Sequence, residues 1–268
     1  MRALWLTDIH LDHLRDAAAF AAFAARVSVG HAPFDGAIVT GDISTAQHLK
    51  GHLEALAAAW GRPVWFVLGN HDYYGGGIKQ VRTEMASLVS HPLLTYLPQA
   101  GPIKLSPTAS LVGIDGWGDG RLGRPETTPV LLNDFVLVRE LEASKGRMGL
   151  LSTVRRLGDD EAARCRELLA AAAERSRRVV VATHVPPFRE ACWHRGGISD
   201  DDWLPWFTCK AVGDALVEAA ETHPDKQFLV LCGHTHTSGT ATILPNLVVR
   251  TGGAVYGSPK VEDVLEFA

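Results

Sequence analysis

Five apolar runs in this chain each break off into residue types that bind metals. Residues 3–7 run into Asp8-Ile9-His10, and residues 37–40 into Gly41-Asp42. Residues 64–68 lead to Gly69-Asn70-His71-Asp72, residues 179–183 to His184, and residues 228–232 to Gly233-His234-Thr235-His236. A short run that is apolar at every position predicts a strand buried on both faces. Strands lying side by side and pointing the same way would bring these ends to one rim. In open sheets covered by helices on both faces, ligands bind at that rim.

Between the runs the pattern changes to helical spacing. Helices are predicted over residues 14–29, 46–60, 78–90, 159–178 and 210–221. In the fourth, Asp159, Asp160 and Glu161 crowd the start and Arg175, Arg177 and Arg178 the end, as the helix dipole favours. Alternating strands and helices favour parallel strands with right-handed crossovers. Toward the end of the chain, residues 239–244, 247–251 and 261–267 read as short strands separated by Pro and Gly turns. With residues 93–97 and 110–114 they could form a second sheet. The architecture expected is α/β, two sheets packed together with helices outside, in a single domain over residues 1–268. Two stretches, 115–157 and 186–205, fit neither period and read as long irregular, cap-like loops next to rim strands. Loops of that length are commonly functional.

The composition is that of an ordinary globular protein, 46% hydrophobic and 21% charged. A net charge of −4 argues against non-specific nucleic-acid binding, which needs a basic face. Cys165, Cys192, Cys209 and Cys232 form no CxxC pair and read as isolated reduced thiols. No signal-peptide pattern and no apolar run of membrane-spanning length is present, so a cytoplasmic location is expected.

The rim residues suit a binuclear centre. Two cations about 3.5–4 Å apart repel one another, and a shared carboxylate offsets that repulsion. Asp42, central among the donors, is the natural bridge. Asp8 and His10, two residues apart, could reach one ion past a bend. His234 and His236 share that spacing and could serve different ions, while Asn70 offers a carbonyl oxygen and His184 an imidazole. Nitrogen and oxygen donors without thiolate suit Mn, Fe, Zn, Co or Ni better than Ca or Cu(I).

The ordered set Asp8-x-His10, Gly41-Asp42, Gly69-Asn70-His71-Asp72, His184 and Gly233-His234-x-His236 resembles the calcineurin-like metallophosphoesterases. Each motif alone is weak, but all five stand in order, each after an apolar strand. The resemblance implies a four-layer α/β/β/α sandwich, two mixed sheets flanked by helices, around a binuclear metal site. It also implies a metal-dependent phosphoric ester hydrolase, phosphodiesterase or phosphatase. One metal would take Asp8, His10, Asp42 and His236, the other Asp42, Asn70, His184 and His234. A metal-bridging hydroxide would be the nucleophile, and His71 would assist the leaving alkoxide as general acid or electrostatic donor.

One departure stands out. The family pattern often has a second aspartate three positions after the bridging one, orienting the catalytic histidine; here Thr45 occupies that place. Asp115 and Asp119 are candidates to compensate. Without compensation, the enzyme would favour substrates with good leaving groups.

The remaining histidines, His13, His31, His48, His52, His91 and His223, read as ordinary surface or core residues. Trp117, Trp193, Trp203 and Trp206 lie in the two irregular stretches, where they would pin the loops to the core or form a stacking wall for a flat group. Of the basic residues there (Arg121, Arg124, His194, Arg195), His194 and Arg195 are the preferred substrate contacts. The substrate expected is a small phosphate ester, a diester or nucleotide-like compound preferred. A DNA exonuclease reading shares the motifs but lacks a basic balance and room for a DNA-capping domain. A non-catalytic scaffold would have lost ligands that are all present here. No membrane partner is expected; the long loops could also serve a dimer interface.

Overall fold

The computed structural model describes all of residues 1–268. Strands β1 (Arg2–Leu6), β2 (Gly36–Thr40), β3 (Val64–Val67) and β4 (Leu94–Tyr96) form a parallel sheet. A second sheet holds β5 (Ile103–Lys104), β6 (Ala109–Gly113) and β7 (Arg178–Ala182). A small hairpin follows, β8 (Trp193–His194) with β9 (Gly197–Ile198). Strands β10 (Gln227–Cys232), β11 (Gly239–Leu244) and β12 (Leu247–Thr251) complete the second sheet, in the order β11-β12-β10-β7-β6-β5. Finally β13 (Asp263–Glu266) returns to the first sheet and pairs antiparallel with β1.

Side-chain alternation explains the layering. In β1, Leu4 and Leu6 join one core while Ala3 and Trp5 join another; in β7, Val179 and Val181 separate in the same way from Val180 and Ala182. The shared middle core, with Ala3, Trp5, Ile38, Val67, Val180 and Leu231, is the seam between the two sheets. Outside the first sheet lie α1 (Ala17–Gly30), α2 (Leu49–Trp60) and α3 (Ile78–Ala86), burying Phe23, Val27, Leu53, Leu56 and Val81. Two short helices follow, α4 (Asp134–Leu137) and α5 (Arg139–Glu142). Next comes the long α6 (Gly146–Ala173), whose first half buries Leu150, Leu151 and Val154 in the first core. Its second half buries Cys165, Leu168 and Leu169 outside the second sheet, where it packs with α8 (Lys210–Thr222); a short α7 (Leu204–Phe207) precedes α8. The result is helices, sheet, sheet, helices. All four cysteines are buried and free. No helix is long and apolar enough to cross a membrane.

Three expectations need correction. The fourth helix starts at Gly146, not at residue 159, and ends at Ala173 because Arg178 already begins β7. The acidic triplet at 159–161 therefore sits mid-helix. Glu161 turns inward to pair with Arg82, and Asp159 pairs with Arg121. The stretch 115–157 accordingly carries α4, α5 and the first turns of α6. The sheets also divide differently. β4 and β13 belong with β1–β3, whereas β7 and β10 belong with β6, β11 and β12. The central strands β1, β2, β3, β6 and β7 are buried on both faces, so the residue pattern alone does not assign them to a sheet. Smaller shifts occur at helix starts: α1 begins at Ala17 and α2 at Leu49, and α3 gives way to a 3-10 turn over Ser87–Ser90.

Candidate metal centre

The strand ends of both sheets meet across the seam. The backbone N–H of His234, after β10, donates to both oxygens of Asp8, after β1, at 3.0 and 3.1 Å. The His184 ring, after β7, donates from Nδ1 to the carbonyl of Thr40 at the end of β2, 2.9 Å away. Each sheet thus positions the other's polar residues. The chain bends sharply here. Asp8, His10, Asp42, His234 and His236 all have positive φ, between 38° and 70°, a region costing about 1 kcal/mol or more for residues with a Cβ. Strain gathered in this way marks a functional site.

Two glycines of the motifs are required by contact. A Cβ on Gly69 would lie 2.2 Å from Asp42 Oδ1, and one on Gly233 would lie 2.0 Å from Asp8 Oδ2. Only a residue without a side chain lets the backbone approach the carboxylates this closely.

At one pole, Asp8, His10, Asp42 and His236 offer ligand atoms all within 4.8 Å of one another. His10 Nε2 and His236 Nε2 are 3.2 Å apart, and His236 Nε2 is 3.3 Å from Asp8 Oδ1. At the other pole the proton positions can be deduced. A carbonyl only accepts, so His184 Nδ1 carries a proton and Nε2 presents a lone pair. His234 Nε2 faces the carbonyl of Trp206 at 3.2 Å, which leaves Nδ1 with the lone pair. The Asn70 amide donates from Nδ2 to Asp134 Oδ1 at 2.8 Å, so its oxygen points inward. That oxygen lies 3.1 Å from His184 Nε2 and 2.9 Å from His234 Nδ1. Asp42 Oδ1 is 3.3 Å from His184 Nε2. Lone pairs converge with no proton between them, an arrangement that calls for a positive charge. A proton can supply it: burial disfavours a charged His184, but Asp42 and Asp8 outweigh burial and push its pKa up to about 10. Burial holds His10 at about 4 and His234 at about 3, both neutral imidazoles at neutral pH. Burial opposes ionisation of Asp42, yet the neighbouring His184 and His71 hold its pKa well below the usual carboxylate range. These donors fit a pair of cations that share Asp42.

A cleft of about 220 Å³ opens over this cluster, lined among others by Asp42, Asn70, His71, Tyr74, Asp134, His194, Phe207 and Tyr256. His71 Nε2 lies 4.0 Å from Asp42 Oδ2, and its ring stacks on Tyr74 with centroids 4.2 Å apart. His194 lines the cleft. Arg195 does not: its side chain is exposed and lies over Trp203. Arg121 and Arg124 are engaged with Asp119, Asp159 and Asp202. None of the tryptophans lines the cleft. Trp117 and Trp206 are buried, and Trp206 contributes through its carbonyl. The aromatic walls are Tyr74, Phe207 and Tyr256, which sequence reasoning did not single out as walls.

Neither Asp115 nor Asp119 takes the place of the aspartate missing at Thr45. Asp115 accepts from the backbone of Leu68, both Tyr73 and Tyr96 hydroxyls and Arg82, away from His71. Asp119 accepts from Arg121 and from the backbone N–H of Ala211. Asp134, on α4, lines the cleft together with His71 and Asp42. Asp72, of the third motif, binds the backbone N–H groups of Ile43, Ser44 and Gly69 and so ties the second and third motifs together.

The calcineurin-like phosphoesterase family model matches residues 1–238, and the chain belongs to that family. It is a metal-dependent phosphoric ester hydrolase. Among solved structures it is similar to phosphopantetheinyl hydrolase from Mycobacterium tuberculosis, with 16% identity and a TM-score of 0.66 over 95% of this chain and 89% of that one. It is also similar to a dimetal phosphatase from Danio rerio, with 14% identity and a TM-score of 0.59 over 94% and 87% of the two chains. At such identities the likeness is one of fold. No curated protein matches the chain.

Proposed function

We propose that the chain hydrolyses a small phosphodiester or nucleotide-like ester, in preference to a simple monoester, at a two-metal centre. The observation that carries the preference is the charge of the cleft. Its lining includes Asp42 and Asp134 but no lysine or arginine. A monoester dianion would bring a second negative charge that no permanently cationic side chain there meets, whereas a diester brings one.

Asp8, His10, Asp42 and His236 would hold one cation, and Asp42, Asn70, His184 and His234 the other. Ions of the Mn, Fe, Zn, Co or Ni kind would supply an ionisable water and positive charge for the phosphoryl oxygens. His71 sits beside Asp42 at the cleft floor, where an imidazole can pass a proton to the departing oxygen. Tyr74, Phe207 and Tyr256 would face a flat group of the substrate, and His194 would contact its polar part.

The test is Mn-dependent hydrolysis of nitrophenyl phosphate beside bis-nitrophenyl phosphate, with Asp42→Ala as control. Faster diester turnover, abolished in the variant, is the expected result. Faster monoester turnover would refute the diester preference.

A further inference from the structure

Asn70 is an ambiguous ligand. Its amide can sit two ways about its terminal bond, and only one presents oxygen to the cluster. The surroundings on the outer side decide between them. Asp134 Oδ1 accepts from Asn70 Nδ2 at 2.8 Å and from the Tyr74 hydroxyl at 2.6 Å. The Tyr74 oxygen also accepts from Asn70 Nδ2, at 3.2 Å. Turning the amide over would set its carbonyl oxygen against a carboxylate oxygen. Asp134 is 5% exposed, so water would not readily replace the lost donor, and a buried acceptor without a donor is costly.

Asp134 is also held in place. The segment carrying it is tied to the loop after Asn70: Gly75 N–H donates to the carbonyl of Leu137, and Arg139 N–H to that of Gly76. Glu140, a few residues on, accepts from the backbone of Ile78 and Lys79 at the start of α3. The same Tyr74 that donates to Asp134 stacks on His71. One carboxylate from the stretch between the two halves therefore governs Asn70 directly and the ring packed on His71 indirectly.

We infer that Asp134, with Tyr74, is the positioning pair that locks Asn70 with its oxygen toward His184 and His234 and so creates the second metal pole. This rests on the two-metal reading above. The pair lines the cleft, but its effect on the metal pole runs through Asn70 and, by way of Tyr74, through His71.

The experiment is a manganese titration of the purified protein, followed by metal counting and electron paramagnetic resonance, for the wild type, Asp134→Ala, Asp134→Asn and Tyr74→Phe. The wild type is expected to take up two ions and give the signal of a spin-coupled pair. Loss of a group that orients a ligand weakens metal binding about 10- to 100-fold. Asp134→Ala should therefore bind its second ion that much more weakly and show the six-line signal of an isolated ion, with the first ion unaffected. Asp134→Asn, which keeps an acceptor oxygen, should recover part of the loss. Tyr74→Phe keeps the carboxylate and the buried volume, so its folding is secure; it should weaken the second ion about 5-fold, the worth of one hydrogen bond. Two ions at wild-type affinity with a coupled signal in Asp134→Ala would overturn the inference. A wild type that binds fewer than two ions would instead overturn the two-metal reading on which it depends.

Discussion

Replacing Arg82 by methionine should expose how the centre is braced from behind. Arg82 Nε donates to Asp115 at 3.0 Å, and its other end pairs with Glu161. Asp115 and Glu161 are buried, and Arg82 is 25% exposed. Asp115 also holds the backbone of Leu68, just before the third motif, and its carbonyl accepts from the backbone of His184. Methionine fills most of the space but leaves two buried carboxylates without their cation. Breaking a buried pair on one side costs about 3–5 kcal/mol. With an unfolding entropy of about 2.1 cal/mol/K per residue, a chain of 268 residues should lose roughly 5–9 °C in Tm. The loss has a pH sign. Burial already raises the Glu161 pKa despite Arg82, so the folded protein binds that proton more tightly than the unfolded chain does. Stability from this group is present at low pH and falls as pH rises from the unfolded value toward the folded one. Without Arg82 the folded value moves higher, and the gap between variant and wild type should widen from pH 5 to pH 8. Calorimetry or dye-monitored melting over that range reads both effects. Adding Glu161→Gln should restore much of the lost stability. A variant melting with the wild type at pH 8, or a gap that narrows with pH, would refute the reasoning.

Gly69→Ala should disrupt the centre without altering its donors, because the new Cβ meets the Asp42 carboxylate and backbone nitrogen at 2.2 and 2.5 Å. About 1–3 kcal/mol of destabilisation together with weakened metal uptake is expected, read by melting and metal counting; wild-type values of both would contradict the close-contact argument. Manganese at about 100 times its Kd should stabilise the wild type by about 2.7 kcal/mol, seen as a higher Tm, and Asp42→Ala should lose that response. His71→Ala should slow alkyl esters more than nitrophenyl esters, since a good leaving group needs no proton; equal losses on both would remove His71 from leaving-group chemistry.

The site motifs were legible because each follows a run that is apolar at every position, and a buried strand can end only where polar groups find partners. The candidate metal donors therefore stand at strand ends in the sequence and at the sheet seam in space. The bracing was not legible. Asp134 lies in a stretch with no period and no motif, and only the folding of α4 onto the loop after Asn70 brings it to the cluster. Thr45 gave a true signal that a carboxylate was missing, but the two candidates after β6 are taken up by Arg82, two tyrosines, Arg121 and the backbone of Ala211. The start of α6 was hidden for a different reason. Gly146 and Gly149 weaken its first turns and Lys145 provides no side-chain cap, while the acidic triplet further on imitates a helix start.

The two sheets divide the donors unequally. Asp8, His10, Asp42 and Asn70 follow strands of the first, and His184, His234 and His236 follow strands of the second. The bond from His234 to Asp8 spans 226 positions of chain. During synthesis, then, the early half emerges with carboxylates and one imidazole but no way to close either pole. On the proposed two-metal reading, loading with metal waits for the late strands to dock. On that reading the centre is a record of completed folding, since a chain that ends before β10 lacks His234 and His236 and can complete neither pole.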